Sequence, residues 1–179
     1  VPAKPIRRDA IRVVGPSIAY IKLSKGQFSC IDAEDAPRVE YCSWSARWHP
    51  HTRSYYAMRM RRVNGRQIHV SLHEEIMGEI EGECRDHHNR STLDNRKANL
   101  RPATFRLNQA NRRSSNRTGF KGVQFCPYRT PGQQYVTSMT RGGRRVYLGG
   151  HATAEIAHEV YMKAAIEEYG EFAHSGNKV

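Results

Sequence analysis

The chain has 179 residues, of which 38% are hydrophobic, and it carries a formal charge of +12. That length suits one medium domain or two to three small ones, and a mean hydropathy of −0.75 argues against a single large apolar core. No run approaches the ~18 apolar residues of a membrane span, the opening VPAKPIRRDAIRVV lacks the apolar stretch of a secretion signal, and the expected location is cytoplasmic.

Residues 1–17 hold three prolines and four basic side chains and read as an arm or a loosely attached strand. Next, 18–32 reads as two β-prone runs joined by Ser24-Lys25-Gly26, a hairpin signal. The stretch AEDAPRVEYCSWSARW reads as a short turn or helix followed by aromatics. Residues 54–72 give two strands around Asn64-Gly65, the strongest short-range hairpin signal. LHEEIMG reads as a short helix stopped by Gly78. Residues 1–83 are therefore taken as an N-terminal strand-rich unit, with Trp44, Trp48, Tyr55 and Tyr56 expected in its core or on half-buried faces.

Residues 84–112 follow a different pattern. A short strand is expected over Cys84–His88, then a polar crossing loop, then a second strand over Asn99–Arg101. Pro102-Ala103-Thr104 should end it, with Thr104 capping a helix that runs from Phe105 to about Asn111. After a polar linker at 113–118 come three strand candidates, the last two separated by Arg141-Gly142-Gly143. The final segment predicts a helix capped by Thr153 and ended by Gly170, with Ile156, Ala157, Val160, Tyr161, Ala164 and Ala165 on one stripe. The fold class expected is α+β.

The positive charge is clustered. Residues 96–117 contain Arg96, Lys97, Arg101, Arg106, Arg112, Arg113 and Arg117 and no acid. Such one-sided charge predicts a polyanionic partner, because each phosphate contact releases counterions. The stretch has no wide apolar face, which favours nucleic acid over membrane. The plain alternative is a solvated basic surface. Cys30, Cys42, Cys84 and Cys126 are scattered with no CxxC pair, so reduced thiols are expected and structural zinc is not.

One stretch, CRDHHNRSTLDNRKANLR at 84–101, carries chemistry. Phosphodiester hydrolysis needs an activated water, stabilisation of extra charge on phosphate, and help for the leaving oxygen. A divalent cation supplies the last two and an imidazole supplies the first. Hard cations such as Mg²⁺ take oxygen ligands and often only one or two from protein. Asp86 offers a carboxylate oxygen, and Asn108 or Asn111 on the following helix offers an amide oxygen. Strand alternation sends His87 and His88 to opposite sides, so one histidine faces a metal cleft and the other does not. Read singly, Asp86 is as well explained as a surface carboxylate and His87 as a satisfied core histidine.

The spacing of Asp86, His87, Asn89, Asp94, Asn95, Arg96, Asn99, Leu100, Arg101, Thr104 and Asn108 resembles the HNH endonucleases of phages and mobile introns. The resemblance implies a ββα-metal nuclease core over 84–112. It implies Asp86 and Asn108 as ligands of a divalent metal, Mg²⁺ or Mn²⁺. It implies His87 as the general base and Asn99 as the brace that holds His87 across the hairpin. His88 stands where the family usually has an aliphatic residue, and Arg90 replaces a common turn glycine. Asn95 and Arg96 read as loop-stabilising, with Arg96 also a candidate phosphate contact. His73 matches a recurrent upstream histidine of structural or DNA-facing role.

Residues 113–179 resemble the Apetala-2-like DNA-binding domain, through Gly119-Phe120-Lys121-Gly122-Val123, Tyr135, Val146-Tyr147-Leu148-Gly149, Ala154-Glu155, Ala164-Ala165 and Asn177. This resemblance implies a three-stranded antiparallel sheet on one helix, with the sheet in a DNA major groove. Strand alternation nominates Lys121, Gln124, Ser138, Thr140, Arg145 and Tyr147 for its outer face and Val123, Val136 and Leu148 for the core. Arg96, Arg101, Arg112 and Arg113 complete the candidate DNA contacts.

Taken together, the sequence predicts a metal-dependent, site-selective endonuclease acting on double-stranded DNA. A monomer would nick, and a homodimer would cut both strands. Two alternatives stand beside it: a non-catalytic DNA-binding regulator on a nuclease scaffold, and a zinc-binding structural protein built on Cys84, His87 and His88.

Overall fold

The computed structural model describes residues 10–114 and 116–176. These form a mixed α+β chain with four α-helices and small antiparallel sheets, in two compact units that divide between Thr104 and Phe105. Most of the expected N-terminal arm, residues 1–9, lies outside the described residues, as does Asn177.

In the first unit, β1 (Ile11–Val14), β2 (Ile18–Lys22) and β3 (Phe28–Asp32) make one antiparallel sheet in that order. Strand β2 shows the period of two that a one-sided sheet requires: Ala19 and Ile21 are buried, Tyr20 and Lys22 exposed. A short 3-10 turn leads into α1 (Ala36–Val39), which carries Pro37 in its first turn, where a missing N–H costs no hydrogen bond. Strands β4 (Ser45–His49), β5 (Ser54–Val63) and β6 (Arg66–Ser71) form a second sheet with β5 in the centre. Asn64 (φ 48°) and Gly65 (φ 77°) make the β5–β6 turn, both left-handed as a tight hairpin demands. Helix α2 (Leu72–Met77) starts on a capping box between Ser71 and Glu74 and stops at Gly78.

Strand β4 is visible in the sequence only as an aromatic-rich stretch. Its Trp48 is 45% exposed, on a half-buried face rather than in the core, one of the two placements expected. Trp44 is buried, and its indole N–H donates to the Val39 carbonyl at 3.1 Å. It joins Ala19, Ile21, Ile31, Val39, Leu72, Ile76 and Leu100 in one apolar cluster. Each large aliphatic side chain fully buried there contributes roughly 1.5–3 kcal/mol.

Strands β7 (Cys84–His87) and β8 (Leu100–Ala103) form an antiparallel pair with Asp86 opposite Arg101 and His87 opposite Leu100. Strand β7 ends one residue earlier than the sequence suggests, and His88 is exposed beyond it. Strand β8 runs on through Pro102 and Ala103, because a two-stranded ribbon leaves an edge where proline's missing N–H is harmless. Leu100 anchors this ribbon in the apolar cluster of the first unit. The loop before β8 also pairs with β3: Cys30 N–H donates to Leu93 O at 2.8 Å, and Asn95 N–H donates to Cys30 O at 2.7 Å.

The second unit opens with α3 (Phe105–Asn111). Strands β9 (Val123–Phe125), β10 (Tyr135–Arg141) and β11 (Arg144–His151) follow in an antiparallel sheet with β10 central, and then α4 (Ala154–Tyr169). The Thr153 side chain accepts a hydrogen bond from Ile156 N, the expected cap. The buried stripe of α4 is Ala154, Ala157, His158, Tyr161 and Ala165; Ile156, expected on it, is 47% exposed. Two contacts set this rotation. Thr137 Oγ1 donates to Ala157 O at 2.9 Å, and Gly122 (φ 74°) lies so close to the Tyr161 ring that an added methyl would overlap it. With Ala157 and Tyr161 on the sheet, Ile156 lies about 100° round the helix from Ala157. Val123 is buried as expected. Val136 is buried too, but its pairing with Gln124 puts it on the sheet face opposite Val123, a correction to its expected core position. Leu148 is only partly buried, against the cluster of Met139, Tyr161 and Ala165.

Candidate functional site

Asp86 and His87, the last two residues of β7, are both 5% exposed. The pleat separates them. Asp86 faces its cross-strand partner Arg101, whose Nε donates to Oδ2 at 2.9 Å. The His87 ring enters an aromatic group, its centroid 5.1 Å from that of His73 and 6.2 Å from that of Tyr56, both edge-on. Burial pushes the His87 imidazole below its ordinary value, opposed by the hydrogen bond to Asn95 and the charges of Asp86 and Asp94. Burial also lowers His73, to about 3, with smaller contributions from His87 and Arg85. Both rings are therefore neutral near pH 7, and a neutral imidazole can accept a proton.

The loop between the strands is tied by its own side chains. Asn99 Oδ1 accepts from Asn89 N–H at 2.9 Å, and Asn99 Nδ2 donates to Asp94 O at 2.7 Å. The Asp94 carboxylate takes both arms of the Arg96 guanidinium at 2.7 Å, and Asn89 Nδ2 at 3.0 Å. The Arg96 fork holds the Asp94 carboxyl below the usual carboxylate range. Arg90 sits in the left-handed region (φ 63°), which costs any residue but glycine. Asn99 thus braces the loop, while the side chain that meets the His87 ring is Asn95, with Oδ1 3.2 Å from Nε2. Asn95 is 1% exposed and also reaches Ser29 of β3, Nδ2 to Oγ 2.8 Å. Sequence reasoning gave Asn95 only a loop role and passed over Ser29. The one available signal was a polar residue inside an apolar strand, Ser29 in FSCID.

The donors at this place suit a hard cation better than a soft one. Asp86 presents a carboxylate with about four lone-pair sites, so the Arg101 contact and a metal–oxygen bond are compatible. Among the described residues no three His, Cys, Asp or Glu side chains are grouped to share an ion. Asn108 stands on α3, in the second unit, whereas Asp86, His87 and Asn99 stand in the first.

The residues nominated for DNA contact divide by what holds them. Arg96 and Arg101 direct their charge at Asp94 and Asp86. Lys121 is turned inward too, its Nζ donating to the carbonyls of Ala110 and, at 2.9 Å, of Arg112 at the end of α3. Arg112 Nη1 donates to the Gln109 side chain at 2.9 Å, and Arg113 is exposed. On the sheet of the second unit, Gln124, Thr140, Arg145 and Tyr147 are exposed. Ser138 is partly exposed there, and Val136 shares that face by register. Arg145 Nε donates to Ser138 Oγ at 3.0 Å. Arg129, which the sequence did not single out, donates from Nη1 to the Tyr147 hydroxyl at 3.0 Å and lies 5.2 Å over its ring.

No helix among the described residues is long and apolar enough to cross a membrane. No protein-family model matches the chain, and neither a curated protein nor a solved structure matches it.

Proposed function

We propose that this chain is a metal-dependent endonuclease of double-stranded DNA, working in the cytoplasm, in which His87 takes a proton from the attacking water. The observation that carries the reading is the pairing of a buried carboxylate, Asp86, with a buried neutral imidazole, His87, at the end of one strand. Burial and the Asn95 contact fix the His87 ring, and a neutral imidazole can accept a proton near neutral pH. Arg101 orients the Asp86 carboxylate, and Asn99 holds the loop that returns the chain to β8.

Asp86 would hold a divalent ion, Mg²⁺ or Mn²⁺, through its carboxylate, and the HNH resemblance would add Asn108 as the second ligand, carried by the sequence pattern alone. Held there, such an ion would supply stabilisation of negative charge on the phosphate and on the leaving oxygen. The charge of +12 supports a polyanionic substrate. The exposed Gln124, Thr140, Arg145 and Tyr147 supply hydrogen-bond donors and acceptors on one sheet face, the kind of ribbon a major groove admits. A monomer carries one such site and nicks; a homodimer cuts both strands.

A second reading is a DNA-binding regulator without catalysis. The ion pair between Asp86 and Arg101 favours it, since a carboxylate closed by arginine also serves as a plain hairpin brace. Incubation of supercoiled DNA with Mg²⁺ or Mn²⁺ separates the two. Cleavage lost on chelation of the metal and on His87→Ala supports the nuclease. Site-specific binding with no cleavage in either metal supports the regulator.

A further inference from the structure

Three consecutive contacts run from the backbone to the His87 ring. Ser29 Oγ lies 2.9 Å from Leu93 O, Asn95 Nδ2 lies 2.8 Å from Ser29 Oγ, and His87 Nε2 lies 3.2 Å from Asn95 Oδ1. Ser29 and Asn95 are 0% and 1% exposed.

The order of protons along this chain is determined from its fixed end. A backbone carbonyl has no proton to give. Two oxygens at hydrogen-bond distance need one proton between them, so the Ser29 hydroxyl points at Leu93 O. Ser29 Oγ must then accept from its other neighbour, which sets the Asn95 amide with Nδ2 towards Ser29 and Oδ1 towards His87. An amide oxygen only accepts, so His87 Nε2 carries the ring proton. The lone pair of the neutral imidazole is left on Nδ1.

We propose that Ser29 and Asn95 are positioning residues that set the tautomer of His87, making Nδ1 the atom that receives the proton in the reaction proposed above. Ser29 belongs to β3, far upstream of the histidine in sequence. The N-terminal sheet therefore completes the catalytic histidine as well as packing beside it. The role is the one an orienting acceptor plays for any general-base histidine: the wrong tautomer leaves the geometry intact and removes most of the rate, by up to about 10⁴-fold where this has been measured.

The test reads the ring directly. Full-length protein with ¹⁵N-labelled histidine is examined by long-range ¹H–¹⁵N correlation at about pH 8, where an ordinary imidazole is neutral. The expected result is a single His87 tautomer with the proton on Nε2. Asn95→Leu and Ser29→Ala should give mixed or reversed tautomers, with turnover falling about 10²–10⁴-fold and KM little changed. Asn95→Asp keeps an acceptor facing Nε2 and should keep the Nε2–H tautomer. A wild-type spectrum with the proton on Nδ1 overturns the proposal, and so do Asn95→Leu and Ser29→Ala proteins that hold both the wild-type tautomer and wild-type turnover. If either variant fails to fold, the wild-type spectrum decides alone. A wild-type protein that shows the expected tautomer but cuts no DNA contradicts the nuclease reading and leaves the positioning assignment standing.

Discussion

Arg101 Nε meets Asp86 Oδ2 at 2.9 Å across the β7–β8 ribbon, with the two side chains only 12% and 6% exposed. A pair this closed to water costs desolvation on both sides, so its worth shows when one partner is removed. Arg101→Ala leaves the carboxylate buried without that charge and should lower stability by about 3–5 kcal/mol. Urea unfolding measures it. A loss under about 1 kcal/mol, the range of exposed pairs, would mean that water reaches Asp86.

The neighbouring histidines predict a pH dependence. His73 is lowered to about 3 and His87 is lowered as well, both mainly by burial. A histidine whose folded value lies below its unfolded value binds more protons when unfolded. Its stability contribution is full above about pH 6.5, the unfolded value, and falls as pH drops towards the folded value. The protein should therefore lose stability steadily from about pH 6.5 downwards. His73→Gln removes one titrating ring and should flatten that slope. Denaturant midpoints at a series of pH values test this; a slope unchanged in the variant would place His73 in water.

Asn99 satisfies two backbone groups at once, Asn89 N–H and Asp94 O. Asn99→Ala leaves both short of a partner and should cost about 1–3 kcal/mol for each that stays buried. Thermal unfolding reads the loss, and DNA cleavage should fall with it because the loop carrying Asn95 loosens. A variant with wild-type melting behaviour would remove Asn99 from the brace role.

What the sequence disclosed follows the range of the interactions. Asn64-Gly65 announced the β5–β6 turn because both left-handed conformations are set by those two residues alone. Gly78 and Thr153 marked helix ends for the same local reason. Ile156 was misplaced because its face is decided elsewhere. The contact of Thr137 with Ala157, 20 residues apart, sets the rotation of α4. Trp48 lies on a strand that no turn signal announced. At the candidate site, Asp86 and His87 stood out through motif spacing. Asn95 and Ser29 meet across 66 residues, and nothing in either local stretch points to the other.

In the second unit, Gly122 has a positive φ of 74° and lies against Tyr161. Gly122→Ala should destabilise that unit by about 1–3 kcal/mol through overpacking. Calorimetry checks it. A melting temperature equal to wild type would mean that the Tyr161 ring moves aside freely.

The exposed face of the second sheet carries Arg145. If it grips phosphate, Arg145→Ala should weaken DNA binding uniformly across sequences and reduce the salt slope by about 1. If it reads a base edge, the loss should be about 1–3 kcal/mol and confined to one position of the site. Binding isotherms at several salt concentrations decide, and affinity unchanged at every salt concentration would take this face away from DNA.

His87 is proposed above as the base of a metal-dependent DNA cleavage. Supercoiled plasmid incubated with Mg²⁺ or Mn²⁺ tests it most directly. Wild-type protein should convert the plasmid to relaxed circles, and His87→Ala should do so about 10²–10⁴-fold more slowly. Plasmid that stays supercoiled with the wild type in both metals, or that His87→Ala relaxes at the wild-type rate, would rule out His87 as that base.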